Sequence, residues 1–142
     1  MTVYLDASAL VKLVAAEAET APLLAYLVEH ASQATSMVGR VEVRRAAARR
    51  PGVPSERVEA VLTRIAAIAL DPAVVGVAGA IGPPALRTLD AIHLASAAVL
   101  TDELEAFVTY DRRLAEAARE LGLPTASPGA SPGASPGASP GD

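Results

Sequence analysis

Four acidic residues stand in positions that are unusual for surface carboxylates: Asp6, Glu42, Asp90 and Asp111. Asp6 directly follows the apolar run VYL, and Asp111 directly follows FVTY, so each is expected at the carboxyl end of a buried strand. Ligands bind at that edge of an open parallel sheet, and we therefore expect both aspartates there. Asp111 has a second explanation, because an aspartate in this place can also cap the following helix.

The other two acids fall within predicted helices. Asp90 lies on an apolar line with Leu86 and Leu94, where a carboxylate is costly unless a cation compensates its charge. Glu42 lies between two valines and borders the buried stripe of its helix. Converging carboxylates repel one another and attract Mg²⁺ or Mn²⁺, which prefer hard oxygen ligands. Such an ion activates water and holds a phosphodiester, so the four acids predict metal-dependent phosphodiester cleavage.

Three polar residues near the acids have two interpretations each. Ser8 and Thr109 can hydrogen-bond a carboxylate or a metal-bound water, but places as a helix N-cap and a strand residue explain them better. His93 comes one helical turn after Asp90. We expect a structural role for it, because a site for hard cations gains little from imidazole.

The elements that must position these residues alternate between strand and helix. Strands are predicted at residues 3–5, 33–36 and 107–109, with a further short strand possible at 74–77. Helices are predicted from residue 8, with Ser8 as the N-cap, and from residue 20, and then at 38–50, 55–70, 86–100 and 111–121. This alternation with short connections predicts an α/β domain with a parallel sheet.

Composition fits a single globular domain followed by a tail. Of 142 residues, 51% are hydrophobic, and the absence of cysteine excludes a disulfide framework, a thiolate metal site and a cysteine nucleophile. It also fits a cytoplasmic location. No secretory signal is expected, and no apolar run reaches the ~20 residues of a membrane span. Residues 126–141 are four Ala-Ser-Pro-Gly repeats, so 127–142 is predicted to be a disordered tail.

The distribution of charge matters more than the net charge of −4, which by itself argues against a nucleic-acid partner. Five arginines fall within one short segment: Arg40, Arg44, Arg45, Arg49 and Arg50. A local arginine patch can hold a phosphate backbone even in an acidic chain. A solvated helix face or a protein-binding surface explains the same run equally well.

Four segments of the sequence resemble the PIN-domain nucleases, in particular the VapC-type toxins of bacterial toxin–antitoxin pairs. They are LDASALVKL from Leu5, SMVGRVEVRRA from Ser36, LRTLDAIHLASA from Leu86 and FVTYDRRLAEAA from Phe107. They occur in the family's order and cover nearly the whole chain before the tail. The resemblance implies a PIN-like three-layer α/β/α domain over residues 1–126, in which helices flank a central parallel sheet.

The resemblance also implies function: Mg²⁺- or Mn²⁺-dependent cleavage of RNA, a homodimer, and a cognate VapB-like antitoxin whose tail enters the acidic groove. The family's acidic set corresponds to Asp6, Glu42, Asp90 and Asp111, as catalytic residues and metal ligands, of which the last is the most variable. The expected substrate contacts are Ser8, Thr109, Arg87 and either Arg44 or Arg45. Arg87, and Arg44 or Arg45, are alternatively expected to form ion pairs with the acids.

Two other phosphate chemistries fit the same residues poorly. A receiver-like phosphoacceptor needs a lysine late in the chain, whereas the sole lysine is Lys12. A phosphatase of similar topology needs a second aspartate two residues after the first, where Ser8 stands. Both are disfavoured. A catalytically inactive PIN-fold binding module and a nuclease acting on DNA stay open as alternatives.

Overall fold

The structure, a computed structural model, describes residues 1–30 and 32–131. In this part of the chain five parallel strands form one sheet in the order β3-β2-β1-β4-β5. The strands are β1 (Thr2–Leu5), β2 (Ser32–Ser36), β3 (Ala66–Ile68), β4 (Leu104–Val108) and β5 (Thr125–Ala126). The α-helices are α1 (Ala7–Val14), α2 (Thr20–Val28), α3 (Met37–Ala48), α4 (Ser55–Thr63), α5 (Pro72–Ala80), α6 (Thr88–Ala98) and α7 (Arg112–Glu120).

The central strand β1 is where the sheet changes direction of growth. The chain adds β2 and β3 on one side of β1, then crosses over and adds β4 and β5 on the other. The carboxyl ends of β1 and β4 therefore flank the topological switch point, where ligands bind in open α/β sheets. A hydrogen bond of 3.2 Å from the Asp6 amide to the Val108 carbonyl joins these two strand ends.

Helices cover both faces of the sheet and form two hydrophobic cores. Val3 and Leu5 of β1 face the core that contains helices α1 to α4, whereas Tyr4 faces the core of α6 and α7. This division follows from the alternation of side chains along a strand. The structure thus confirms the predicted three-layer arrangement with a central parallel sheet.

The helix predicted at residues 55–70 is wrong in its second half. Helix α4 ends at Thr63, and Ala66–Ile68 forms strand β3, which pairs in parallel with β2. A helix would place Ile65 and Ile68, three residues apart, on one face, but Ile65 packs in the core of α1 to α4 and Ile68 packs against the core of α6 and α7. Hydrogen bonding to the open edge of β2 outweighs the helical spacing of these residues.

The short strand considered at residues 74–77 is also wrong, because the segment forms helix α5. Asp71 accepts a hydrogen bond from the Val74 amide at 2.9 Å, and Pro72 occupies the first helical turn. An aspartate N-cap followed by proline starts a helix even where valines favour a strand. Val75 and Val77 remain 53% and 41% exposed, which leaves an apolar surface on this helix.

The first residues of the predicted tail contact the domain. Strand β5 pairs with β4 and continues into Ser127, whose hydroxyl donates to the Thr109 carbonyl at 2.6 Å. The Tyr110 hydroxyl donates to the Pro128 carbonyl at 2.7 Å. Residues 132–142 of the tail lie outside the described residues. Within the described residues, no helix is both long enough and apolar enough to cross a membrane.

Candidate active site

Asp6 is a buried carboxylate at the carboxyl end of β1. It caps helix α1, since its Oδ1 accepts a hydrogen bond from the Ala9 amide at 2.9 Å. The predicted N-cap, Ser8, instead donates its hydroxyl to the same Oδ1 at 2.7 Å, and Thr109 donates to Oδ2 at 2.5 Å. Burial raises the pKa of Asp6, and these three hydrogen-bond donors oppose that rise.

Ser8 and Thr109 connect Asp6 to the loop that follows β4. The Ser8 hydroxyl accepts a hydrogen bond from the Tyr110 amide at 2.9 Å, and the Thr109 hydroxyl accepts one from the Asp111 amide at 3.0 Å. Thr109 is fully buried, so it has no surface with which to meet a substrate directly. Both hydroxyls therefore orient a carboxylate, which was one of the two roles that the sequence allowed.

Asp111 has both of the roles that the sequence suggested. Its Oδ1 caps helix α7 by accepting hydrogen bonds from the amides of Arg113 at 2.9 Å and Leu114 at 3.2 Å. Its other oxygen, Oδ2, lies 3.7 Å from the guanidinium of Arg87. The helix cap uses Oδ1 of Asp111, and Oδ2 faces Arg87.

Asp90 lies in the first turn of helix α6, with its side chain 19% exposed. Leu94, one turn later, is fully buried, so Asp90 marks the point where the apolar line of this helix reaches the surface. Arg87 Nε lies 3.2 Å from Asp90 Oδ2. The guanidinium of Arg87 therefore joins Asp90 and Asp111 and compensates their charge, as one of the two expected roles for this arginine.

Glu42 on helix α3 is held by a histidine from helix α6. Its Oε1 lies 2.6 Å from His93 Nε2, and the ring of His93 is buried. The expected structural role of His93 holds, but its acidic partner was not foreseen. The two residues are 51 positions apart, and no spacing rule links residues at such a distance.

Arg44 lies away from the acids. It forms a two-point ion pair with Glu59 of helix α4, with distances of 2.8 and 3.0 Å. Residues three or seven positions apart share one side of a helix, so Arg45 and Arg49 are the arginines on the flank of Glu42. Neither of them forms an ion pair within the described residues.

Two of the acids share a partner, because Arg87 lies between the carboxylates of Asp90 and Asp111. Thr109 contacts the Asp6 carboxylate and the backbone amide of Asp111, while Glu42 is attached to His93. In residues 1–30 and 32–131, no three acidic or histidine side chains are gathered closely enough to hold a metal ion. Arg87 lies between one oxygen of Asp90 and one of Asp111, and His93 holds one oxygen of Glu42.

The chemistry of the donor set nevertheless fits a hard divalent cation. Every donor is a carboxylate oxygen, as Mg²⁺ and Mn²⁺ prefer. Asp6 is a buried carboxylate whose oxygens receive only neutral hydrogen-bond donors among the described residues. A cation is the partner that such a group lacks. Arg87 is 71% exposed in its side chain and has room to move away from Asp90 and Asp111.

Comparison with known proteins matches residues 3–120 to the PIN domain. The chain is 48% identical over 131 residues to "Ribonuclease VapC47" of Mycobacterium tuberculosis, which covers 88% of this chain and 96% of that protein. It is 38% identical over 121 residues to "Ribonuclease VapC46" of the same species, covering 85% and 93%.

Two solved structures share the fold. One is FitAB bound to an IR36 DNA fragment, with a TM-score of 0.65 and 16% identity over 91% of this chain and 96% of that chain. The other is VapBC2 from Rickettsia felis bound to a DNA fragment from their promoter, with a TM-score of 0.63 and 14% identity over 89% and 98%. At these identities the similarity concerns the fold alone.

Proposed function

The chain belongs to the PIN-domain family, and on that premise we propose that it is the ribonuclease toxin of a toxin–antitoxin pair. Its curated relatives are named VapC ribonucleases and match over nearly their whole length. One observation carries the proposal. Asp6 and Asp111 follow adjacent strands at the switch point of the sheet, and Arg87 draws Asp90 to the same place.

We infer that Asp6, Glu42, Asp90 and Asp111 hold Mg²⁺ or Mn²⁺ during the reaction. A bound ion of this kind lowers the pKa of water and neutralises charge on a phosphodiester. Asp6 is already fixed in place by Ser8, Thr109 and the amide of Ala9, so it needs no rearrangement. Arg87 would leave Asp90 and Asp111, and its planar guanidinium is suited to bind the phosphate next to them.

Substitution of the aspartates tests the catalytic assignment. Asp6→Asn and Asp90→Asn each remove one charged oxygen ligand with little change in volume, and we expect each to slow cleavage by at least about 100-fold. Asp102→Asn is the matched control, because Asp102 is exposed and precedes β4, at the opposite edge of the sheet. The measurement is single-turnover cleavage of a labelled structured RNA with MgCl₂ or MnCl₂, with EDTA as the metal-free arm.

The same assay separates the alternatives. A DNA strand of identical sequence replaces the RNA in parallel reactions, and we expect RNA to be cut and DNA to be left intact. Cleavage of both would support a nuclease without sugar specificity. Absence of cleavage with every substrate and metal would support the inactive binding module. Wild-type rates in Asp90→Asn would overturn the site assignment.

We propose two partner surfaces for the toxin. A groove of about 430 Å³ between α2 and α4 is lined by Leu27 and Val61, with Leu24 and Val28 50% and 83% exposed beside it. We assign it to an apolar segment of the antitoxin. A second groove, of about 570 Å³ between α5 and α6 and next to Val75, is assigned to a second copy of the chain. Both partners would meet the toxin in the cytoplasm.

Light scattering of separated complexes tests the two assignments. Val28→Glu is expected to weaken capture of a coexpressed antitoxin and leave the homodimer intact. Val75→Glu is expected to do the reverse. If either substitution changes neither assembly, the surface on which it lies is not the interface assigned to it.

A further inference from the structure

The buried histidine of helix α6 connects the core of the domain to the acidic site. Its Nδ1 lies 2.7 Å from the Tyr4 hydroxyl and its Nε2 lies 2.6 Å from Glu42 Oε1. Tyr4 is fully buried in the central strand, and the side chain of Glu42 is 26% exposed. Both ring nitrogens of His93 are thus engaged within the protein.

The chemistry of the three groups gives these hydrogen bonds a direction. An ionised carboxylate can only accept hydrogen bonds, so Nε2 of His93 carries a hydrogen and donates it in the hydrogen bond to Glu42. In a neutral imidazole Nδ1 is then the acceptor, and the Tyr4 hydroxyl is its donor. Burial and the nearby charge of Asp6 raise the pKa of Tyr4, which keeps this hydroxyl protonated. Donation therefore runs from Tyr4 through His93 to Glu42.

Packing holds the imidazole ring in this orientation from two sides. The rings of Tyr4 and His93 meet edge to face with centroids 5.8 Å apart, and Tyr4 stacks on Phe107. At the Cε1 atom of the ring, helix α3 comes close: a Cβ atom on Gly39 would lie 3.2 Å from His93 Cε1 and 2.5 Å from the Thr35 hydroxyl. Helix α3 thus packs against the ring at Gly39, which has no side chain, and Glu42 follows three residues later, about one helical turn along.

We propose that His93, anchored by Tyr4, is the positioning residue that fixes the Glu42 carboxylate in the acidic site. Glutamate has three side-chain torsions, and a partly exposed glutamate side chain loses rotamer freedom when it binds a ligand. His93 imposes much of that order in advance. It contacts Oε1 only, and among the described residues no hydrogen bond engages Oε2, which is left for the metal. The consequence for metal binding rests on the proposed function above.

Imidazole nitrogen NMR tests the bridge without any metal. The chain has two histidines, so His30→Gln assigns the spectrum of His93 unambiguously. The expected spectrum shows the Nε2–H tautomer, with a downfield proton that exchanges slowly and moves upfield in Glu42→Gln. An Nδ1–H tautomer, or a proton that is unaffected by Glu42→Gln, would overturn the proposal.

Mn²⁺ titration calorimetry tests the consequence. His93→Leu is expected to weaken Mn²⁺ binding by about 10- to 100-fold, the usual effect of losing the partner of a ligand. His93→Gln offers an amide donor near the Nε2 position and should recover part of that loss. Tyr4→Phe leaves the ring without its anchor and should fall between His93→Leu and wild type.

Phe107→Leu is the matched control for packing. It removes the stacking partner of Tyr4 but leaves all three hydrogen-bonding groups, so Mn²⁺ affinity should stay at the wild-type level in folded protein. If His93→Leu binds Mn²⁺ as wild type does, His93 is a core residue only. If wild type neither binds Mn²⁺ nor cleaves RNA, the proposed function fails, and the NMR result still decides whether His93 holds Glu42.

Discussion

Asp6 is a carboxylate that the fold buries away from water, and this burial raises its pKa. Burial raises the pKa above the ordinary value of 3.8, so the folded protein binds a proton at Asp6 more tightly than the unfolded chain does. Stability is then greatest below the unfolded pKa and falls as the pH rises through the folded pKa. In the absence of metal, the raised pKa of Asp6 therefore makes the folded protein less stable at neutral pH than it is below pH 3.8, as far as this group is concerned.

Asp6→Asn is therefore expected to stabilise the metal-free protein at neutral pH. Asparagine caps a helix as well as aspartate does. Its oxygen can take the place of Oδ1, where the Ala9 amide and Ser8 still donate, and the Thr109 hydroxyl can rotate to accept from its NH2 group in the place of Oδ2. Urea unfolding of both proteins in EDTA, from about pH 3 to pH 8, measures the difference. The curves should converge below pH 3.8 and separate above it. A less stable Asp6→Asn at pH 7 would contradict this account of the burial.

Asp111 allows its two roles to be separated by two substitutions. Asp111→Asn keeps the N-cap of α7 but removes the charge that faces Arg87, so stability should hold while Mn²⁺ affinity and cleavage decline. Asp111→Ala removes both and should also lower the free energy of unfolding by about 0.5–2 kcal/mol. The measurements are urea unfolding and Mn²⁺ calorimetry. Equal Mn²⁺ affinity in wild type and Asp111→Asn would leave Asp111 with the cap alone.

Helix α3 presents different chemistry on its two flanks. On one, Arg40 donates to the carbonyls of Leu62 and Ile65, and Arg44 pairs with Glu59, so this flank attaches the helix to α4 and its end. On the other, Arg45 and Arg49 follow Glu42 at helical intervals. Within residues 1–30 and 32–131, these two arginines form no ion pair, and their positive charge suits a phosphate backbone.

Alanine substitution on the two flanks should separate these functions. Arg45→Ala and Arg49→Ala are each expected to weaken RNA binding and to reduce its salt dependence by about one phosphate contact. Arg44→Ala breaks an exposed ion pair that solvent already screens, so it should change neither RNA binding nor stability appreciably. Affinity for a labelled RNA in EDTA at several salt concentrations measures this. A larger loss of affinity in Arg44→Ala than in Arg45→Ala would refute the assignment of flanks.

The start of the repeat segment packs against the folded domain. Gly129, at a φ of +82°, lies against α2, where a Cβ atom would come within 2.7 Å of Pro22. Together with the hydrogen bonds of Ser127 and Pro128, this contact attaches the first repeat to the loop that carries Thr109 and Tyr110. We therefore predict that the folded domain extends beyond residue 126 into the first repeat.

Two truncations test where the domain ends. A chain that ends at Ala126 loses both hydrogen bonds and should be less stable by about 1–3 kcal/mol. A chain that ends at Ser131 keeps them and should unfold at the same urea concentration as the full chain. Equal stability of the two truncated chains would place the boundary at residue 126, as the sequence predicts.

Local patterns along the chain were enough to find the fold class and the four acids. Strand and helix periodicities are properties of neighbouring residues, so they reveal alternating elements and the aspartates that follow two strands. The same rules failed for β3 and α5. The edge of β2 captures Ala66–Ile68 through hydrogen bonds that no local pattern contains. At α5 the effect of Asp71 and Pro72 outweighs the β-preference of the valines.

Relations between distant residues came from packing alone. His93 meets Glu42 across 51 positions, and Thr109 meets Asp6 across 103, because the crossover from β3 to β4 brings α6 and the end of β4 beside β1. Successive residues of a helix are rotated by about 100°, so Arg45 lies on the flank of Glu42 whereas Arg44 lies on the flank that contacts α4. The acids were recognisable one by one in the chain, but the groups that hold them are supplied by elements that meet only in the folded domain.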